Sequence, residues 1–153
     1  MSIVMHAVGD SIAGLGVFVR DCSGKPLMVA GKRMFSVAAD MMEVQAIIMA
    51  FDLLREFLPQ YRAVEFQSDS MTALQVARDM VTKPSREGVL AVTLQYVKAM
   101  EALRFSHIHR EGNEPADWAA RRACTHEFIW GPRESLPQPL IKLMLSDFLF
   151  DPP

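Results

Sequence analysis

Three acidic residues stand where carboxylates do chemistry. Glu43 lies in an apolar stretch, with Met41, Met42, Val44, Ala46 and Ile47 around it. A carboxylate there bears a desolvation cost unless a partner or a metal ion meets it. Asp69 follows the β-compatible run Ala63 to Gln67, at the carboxyl end of a predicted strand, where open α/β sheets bind their ligands. Asp117 falls one turn into the last predicted helix. Each also has a plain structural account. Glu43 could sit on a helix rim, Asp69 could cap the helix opening near Ser70, and Asp117 could be an acid favoured near a helix N-terminus. Gathered at one edge of a sheet, the three would form an oxygen-rich site for a hard divalent cation.

The elements that must position them follow from periodicity. Residues 2–8, Leu15 to Arg20 and Leu27 to Ala30 read as strands separated by the turn signals Gly9-Asp10-Ser11 and Asp21-Cys22-Ser23-Gly24, an antiparallel meander. From Ser36 to Leu58 apolar residues recur at helical spacing, and Pro59 ends the run. Ala63 to Gln67 is a fourth strand, Ser70 to Met80 a helix broken at Lys83-Pro84-Ser85, and Val89 to Leu103 a further helix. Arg104 to His109 is a fifth strand. Asn113 then reads as the N-cap of a helix reaching Glu127, with Pro115 in its first turn. The order predicts an α/β domain over residues 1–130. Its mixed sheet has five strands, a three-strand antiparallel meander plus two parallel strands, with helices on both faces. Residues 131–153 change character: Pro132, Pro137 and Pro139 precede LIKLMLSDFLF. They predict an extended tail whose apolar segment, 140–150, docks on the domain or on a protein partner.

Taken in this order, the segments resemble the ribonuclease H-like superfamily, and in particular its plant reverse-transcriptase-like branch. The stretches that carry the likeness are GLGVFVRDCSGKPL, EVQAIIMAFDLL around Glu43, VEFQSDSMTALQ around Asp69 and FSHIHREGNEPADWAA from Phe105 to Ala120. They cover roughly residues 2–127. The resemblance implies that Glu43, Asp69 and Asp117 are three of four carboxylates holding two divalent ions, Mg²⁺ or Mn²⁺. Ions ~4 Å apart can activate water and stabilise the leaving oxygen of a phosphodiester. The implied substrate is the RNA strand of an RNA–DNA hybrid, with RNA itself as the other partner, recognised through backbone shape and 2′-hydroxyls. His109, at the strand end, is the implied aid to proton transfer. Asn113, Ser70 and Arg110 are the implied substrate contacts, while His107 and His126 read as structural.

One position departs from the family's pattern. The first carboxylate's place in strand one falls on His6, and Asp10, in the following turn, is the nearby acid that could substitute. Imidazole brings no negative charge and suits zinc or manganese better than Mg²⁺. The expectation is therefore a ribonuclease H-type domain with impaired hydrolysis, the alternative being an inactive nuclease-like scaffold that acts by binding nucleic acid or protein.

Composition is compatible with both. A chain of 153 residues, half of them apolar, can bury one full core. A formal charge of -2 argues against a broad electrostatic grip on nucleic acid, although an acidic metal site also lowers net charge. Lys32-Arg33, Arg110 and Arg121-Arg122 are the basic residues that could touch phosphates. Eleven methionines read as core packing, and Cys22 and Cys124 as two reduced core thiols. No stretch has the form of a signal peptide and no apolar run approaches ~20 residues. A cytoplasmic or nuclear setting is the expectation.

Overall fold

The computed structural model describes residues 1–153 except 10, 36–37, 84–88, 132–133 and 151–153, and only the backbone of 2, 4–9, 39–40, 89 and 146–150. Strands β1 (Ser2–Gly9), β2 (Ile12–Arg20) and β3 (Pro26–Phe35) form the expected antiparallel meander. Helix α1 (Ala39–Phe57) carries the chain to β4 (Ala63–Ser68), which lies parallel to β1. Helices α2 (Met71–Thr82) and α3 (Val89–Lys98) lead to β5 (Ala102–His107), parallel to β4. A short 3-10 turn, Arg110–Asn113, then opens α4 (Glu114–Ala123).

Two expectations are corrected in the C-terminal part of the chain. The sheet has six strands, because β6 (Phe128–Trp130) pairs antiparallel with β3 beyond the meander. Helix α4 ends early enough to allow this, its chain turning through bonds from the Cys124 and Thr125 amides to the Arg121 and Arg122 carbonyls. The tail is helical: α5 spans Gln138–Phe150, and its Leu140 is fully buried against Phe18, Val29, Ala116 and Ala119. That residue docks on its own domain. The third helix is also shorter than predicted. The Arg62 carbonyl accepts from the amides of Glu101 and Ala102, starting β5 in register beside β4.

Pleating sorts β2 onto two faces. Leu15, Val17 and Val19 face α1, α2 and α3 in the larger core, where Phe51 meets Phe66 edge to face at 4.9 Å. The opposite face bears Gly14, Gly16 and Phe18, with Gly31 on β3, and this is the face that α4 covers. A Cβ on Gly14 would stand 1.7 Å from the Ala120 carbonyl oxygen, and one on Gly16 2.1 Å from that of Ala116. Helix backbone thus rests on strand backbone. Cys22 and Cys124 are not joined, and Cys22 lies exposed in the β2–β3 turn instead of in the core. Among the described residues no helix is long and apolar enough to cross a membrane.

The seat of α4 admits no side chain. Gly14→Ala should cost about 2 kcal/mol or more and lower the melting temperature by roughly 4–8 °C. Gly112→Ala, whose new methyl finds its nearest atom 4.0 Å away, should stay within about 0.5 kcal/mol. Calorimetry showing equal stability for both variants would contradict the close packing.

Candidate active site

Parallel strands bring their carboxyl ends to one edge. Asp69 leaves β4 there, and the sequence leaves its side chain available because its neighbours do the capping. Ser70 is the N-cap of α2, its Oγ accepting from the Ala73 amide at 3.1 Å, while the buried Ser68 Oγ accepts from the Ser70 amide at 3.1 Å. The cap account of Asp69 is thereby excluded. Ser70, expected at the substrate, has this local role in capping α2.

Asn113 also departs from expectation. It makes no side-chain cap for α4. Its Nδ2 donates to Asp69 Oδ1 at 2.9 Å, and the residue is only 1% exposed. Arg110 approaches the other carboxylate oxygen at 4.0 Å but is 88% exposed, so solvent screens the pair. His107 Nε2 lies 3.2 Å from the Asp69 backbone oxygen, tying the end of β5 to the end of β4. His109 is exposed, with its ring 6.0 Å from that of His107 and its carbonyl accepting from the Gly112 amide.

Glu43 projects from α1 toward the same edge and is half-buried. Its Oε2 is buried and has no hydrogen-bond partner among the described residues. Burial first, and then the negative charge of Asp69, push its carboxyl up to about 7. Two carboxylates left facing each other in a partly dry site is the arrangement a cation relieves.

Asp117 does not complete the set. Its Oδ2 accepts from Arg121 Nε at 2.7 Å, one turn along α4, and the carboxylate raises the pKa of that guanidinium. Among the described residues no three His, Cys, Asp or Glu side chains stand close enough together to hold a metal ion. Of the three expected acids, Glu43 and Asp69 interact with each other, and Asp117 pairs with Arg121 along its own helix. The fourth position is defined by backbone alone. His6 is opposite Gly16 in β2, and β1 runs in register with β4 from Ser2 beside Glu65 to Val4 beside Gln67. Extending that register by two residues brings His6 level with Asp69. Its side chain, and Asp10 altogether, lie outside the described residues.

With this geometry established, comparison with known proteins gives a consistent answer. The family model described as reverse transcriptase-like matches residues 4–123. Among solved structures, the chain is similar to RNase H1 from the halophilic archaeon Halobacterium salinarum NRC-1, with a TM-score of 0.62 and 18% identity over 80% of this chain and 95% of that one. It is similar also to LC11-RNase H1 in complex with an RNA/DNA hybrid, at 0.62 and 22% over the same shares. The N-terminal RNase H domain of a Mycobacterium tuberculosis protein gives 0.59 and 19%, over 80% of this chain and 93% of that domain. A search of curated proteins found no match.

The raised Glu43 carboxyl has a consequence for stability. In the unfolded chain it loses its proton near the ordinary value of 4.5, in the folded chain near 7. Between these the unfolded state binds fewer protons, so stability falls as pH rises through that window. Discounted for partial solvent exposure, the loss is about 1–2 kcal/mol. Glu43→Gln should therefore match the parent at pH 4 and exceed it by that amount at pH 8 in urea unfolding without added divalent ions. An equal difference at both pH values would contradict it.

Proposed function

The chain belongs to the reverse transcriptase-like family and carries the ribonuclease H fold, and on that premise we propose that it binds RNA–DNA hybrids and hydrolyses their RNA strand only slowly. One divalent ion, Mg²⁺ or Mn²⁺, is held by Glu43 and Asp69. The observation that carries this reading is the buried Glu43 Oε2 without a hydrogen-bond partner beside a second carboxylate. Hard oxygen donors of this kind suit such ions. An ion bound there supplies a polarised phosphoryl oxygen and a more acidic water.

The protein's own groups have separable parts. Asn113 fixes the rotamer of Asp69 through its 2.9 Å bond, so that carboxylate needs little reorganisation. Arg110, exposed beside Asp69, meets the backbone phosphate. His109, exposed at the rim, exchanges protons with the leaving oxygen or with solvent. A hybrid as substrate is supported by the structural match solved on an RNA/DNA hybrid. We assign the domain to the cytoplasm or nucleus on the same reading.

Slowness has two sources. His6 stands level with Asp69 where the family's pattern has an aspartate, and it removes a negative charge from the middle of the site. Arg121 bonds Asp117 along α4 at 2.7 Å and competes with a cation for that carboxylate. The second observation also favours a competing reading, a scaffold that binds hybrid without cleaving it.

Cleavage of a labelled hybrid in Mg²⁺ and Mn²⁺ separates the two. His6→Asp should raise the rate at least ~10-fold, equivalent to about 1.4 kcal/mol of barrier, and adding Arg121→Gln should raise it again. Asp69→Asn should abolish the residual cleavage while hybrid binding persists. A parent protein already as fast as a four-carboxylate enzyme would refute impairment; absence of cleavage in every variant, with binding retained, would establish the scaffold.

A further inference from the structure

A second concave surface runs along α1 from Gln45 toward its C-terminal end. Helix α1 packs on β1 and β2, so its later turns leave a gap over the edge of the sheet where β3 and β6 run. The gap has a volume of 650 Å³. Along the helix, Glu56 stands 13 positions beyond Glu43, a rise of about 20 Å. The groove begins beside Gln45, two residues beyond Glu43, and runs from there along α1 to Glu56.

Its chemistry is two-part. The floor is apolar, formed by Ile48, Met49 and Leu53 of α1 and by Ile129 of β6. Ile129 is 47% exposed, although it sits in the sheet next to the core residue Ala30. The rim carries Asp52, Glu56 and Glu127 against Lys32. Arg55 pairs with Asp52 at 3.8 Å and with Glu56 at 3.3 Å, and Glu127 Oε1 accepts the Arg33 amide at 2.9 Å. Counting Arg55 with Lys32, three carboxylates still face two cations.

We propose that this groove takes an extended segment of a partner protein in which apolar and basic residues alternate. Apolar side chains, spaced every second residue, settle on Ile48, Leu53 and Ile129, and the basic ones between them meet Glu56, Glu127 and Asp52. An extended occupant is favoured because β6 is the terminal strand of the described sheet, and an added strand presents alternate side chains to one face. The acidic rim disfavours nucleic acid, since phosphates would face carboxylates. The groove is thus a protein-docking face beside the acidic pair, and it stands or falls independently of hydrolysis.

The test uses the whole chain, labelled with ¹⁵N, and a synthetic peptide of alternating lysine and leucine, with a glutamate–leucine peptide as its charge-reversed twin. The basic peptide should bind saturably, with shift changes centred on Ile48 to Glu56 and on Ile129. The twin should bind at least ~10-fold more weakly, a difference of about 1.4 kcal/mol. Ile129→Lys and Glu56→Lys, both surface changes, should each weaken the basic peptide by a similar factor while leaving hybrid binding unchanged. The proposal is overturned if neither peptide binds, if both bind alike, if the shifts centre on Glu43 and Asp69, or if a short single-stranded oligonucleotide occupies the groove instead.

Discussion

Helix α4 and strands β2 and β3 meet backbone to backbone, and the rest of the site is built on that approach. Gly14, Gly16 and Gly31 face Ala116, Ala119, Ala120 and Ala123, so that at these glycines helix backbone lies against strand backbone. The glycines serve here by their lack of volume, since dense interiors leave no room for an added carbon. Sinking α4 this far brings Asn113, at the entrance of the helix, to the end of β4, where it can bond Asp69 across 44 positions of sequence. The same helix sets where Asp117 stands and offers Leu140 of α5 a surface to cover.

The acidic pair is a place where local stability is given up. A half-buried glutamate beside an aspartate disfavours its own ionisation, and among the described residues nothing satisfies Glu43 Oε2. Natural sequences tend to break local consistency where function requires it. Several neighbouring polar groups are paired, Ser68 with the Ser70 amide, Ser70 with the Ala73 amide and Asn113 with Asp69, while Gln67 Oε1 on β4 is, like Glu43 Oε2, buried without a partner among the described residues. An unsatisfied carboxylate in so ordered a setting points to a ligand that is positively charged.

Much of this was legible in the residues. The meander, the parallel pair and the helices on two faces follow from period and turn chemistry, and the positions of Glu43 and Asp69 follow from them. What escaped was decided by tertiary contact. Asn113 before a proline-started helix reads as a cap, and only the proximity of β4 turns its amide to Asp69. Asp117 reads as a ligand only through the family resemblance, and Arg121 four positions on, a pairing any helix allows, bonds it along α4. Strand β6 is three residues long, too short for periodicity to register, and exists because β3 offers an edge. The apolar run LIKLMLSDFLF read as an extended tail because three prolines lie close by, whereas Pro139 sits in the first turn of α5, where a proline is tolerated.

The central claim is that Glu43 and Asp69 together form a cation site. Titration of Mn²⁺ into the ¹⁵N-labelled protein tests it most directly, because the paramagnetic ion broadens signals according to their distance from it. The account predicts one saturable site, with broadening strongest around Glu43, Asp69 and Asn113 and lost in Asp69→Asn. Broadening that is absent, unsaturable, or centred elsewhere and unchanged by that substitution would contradict it.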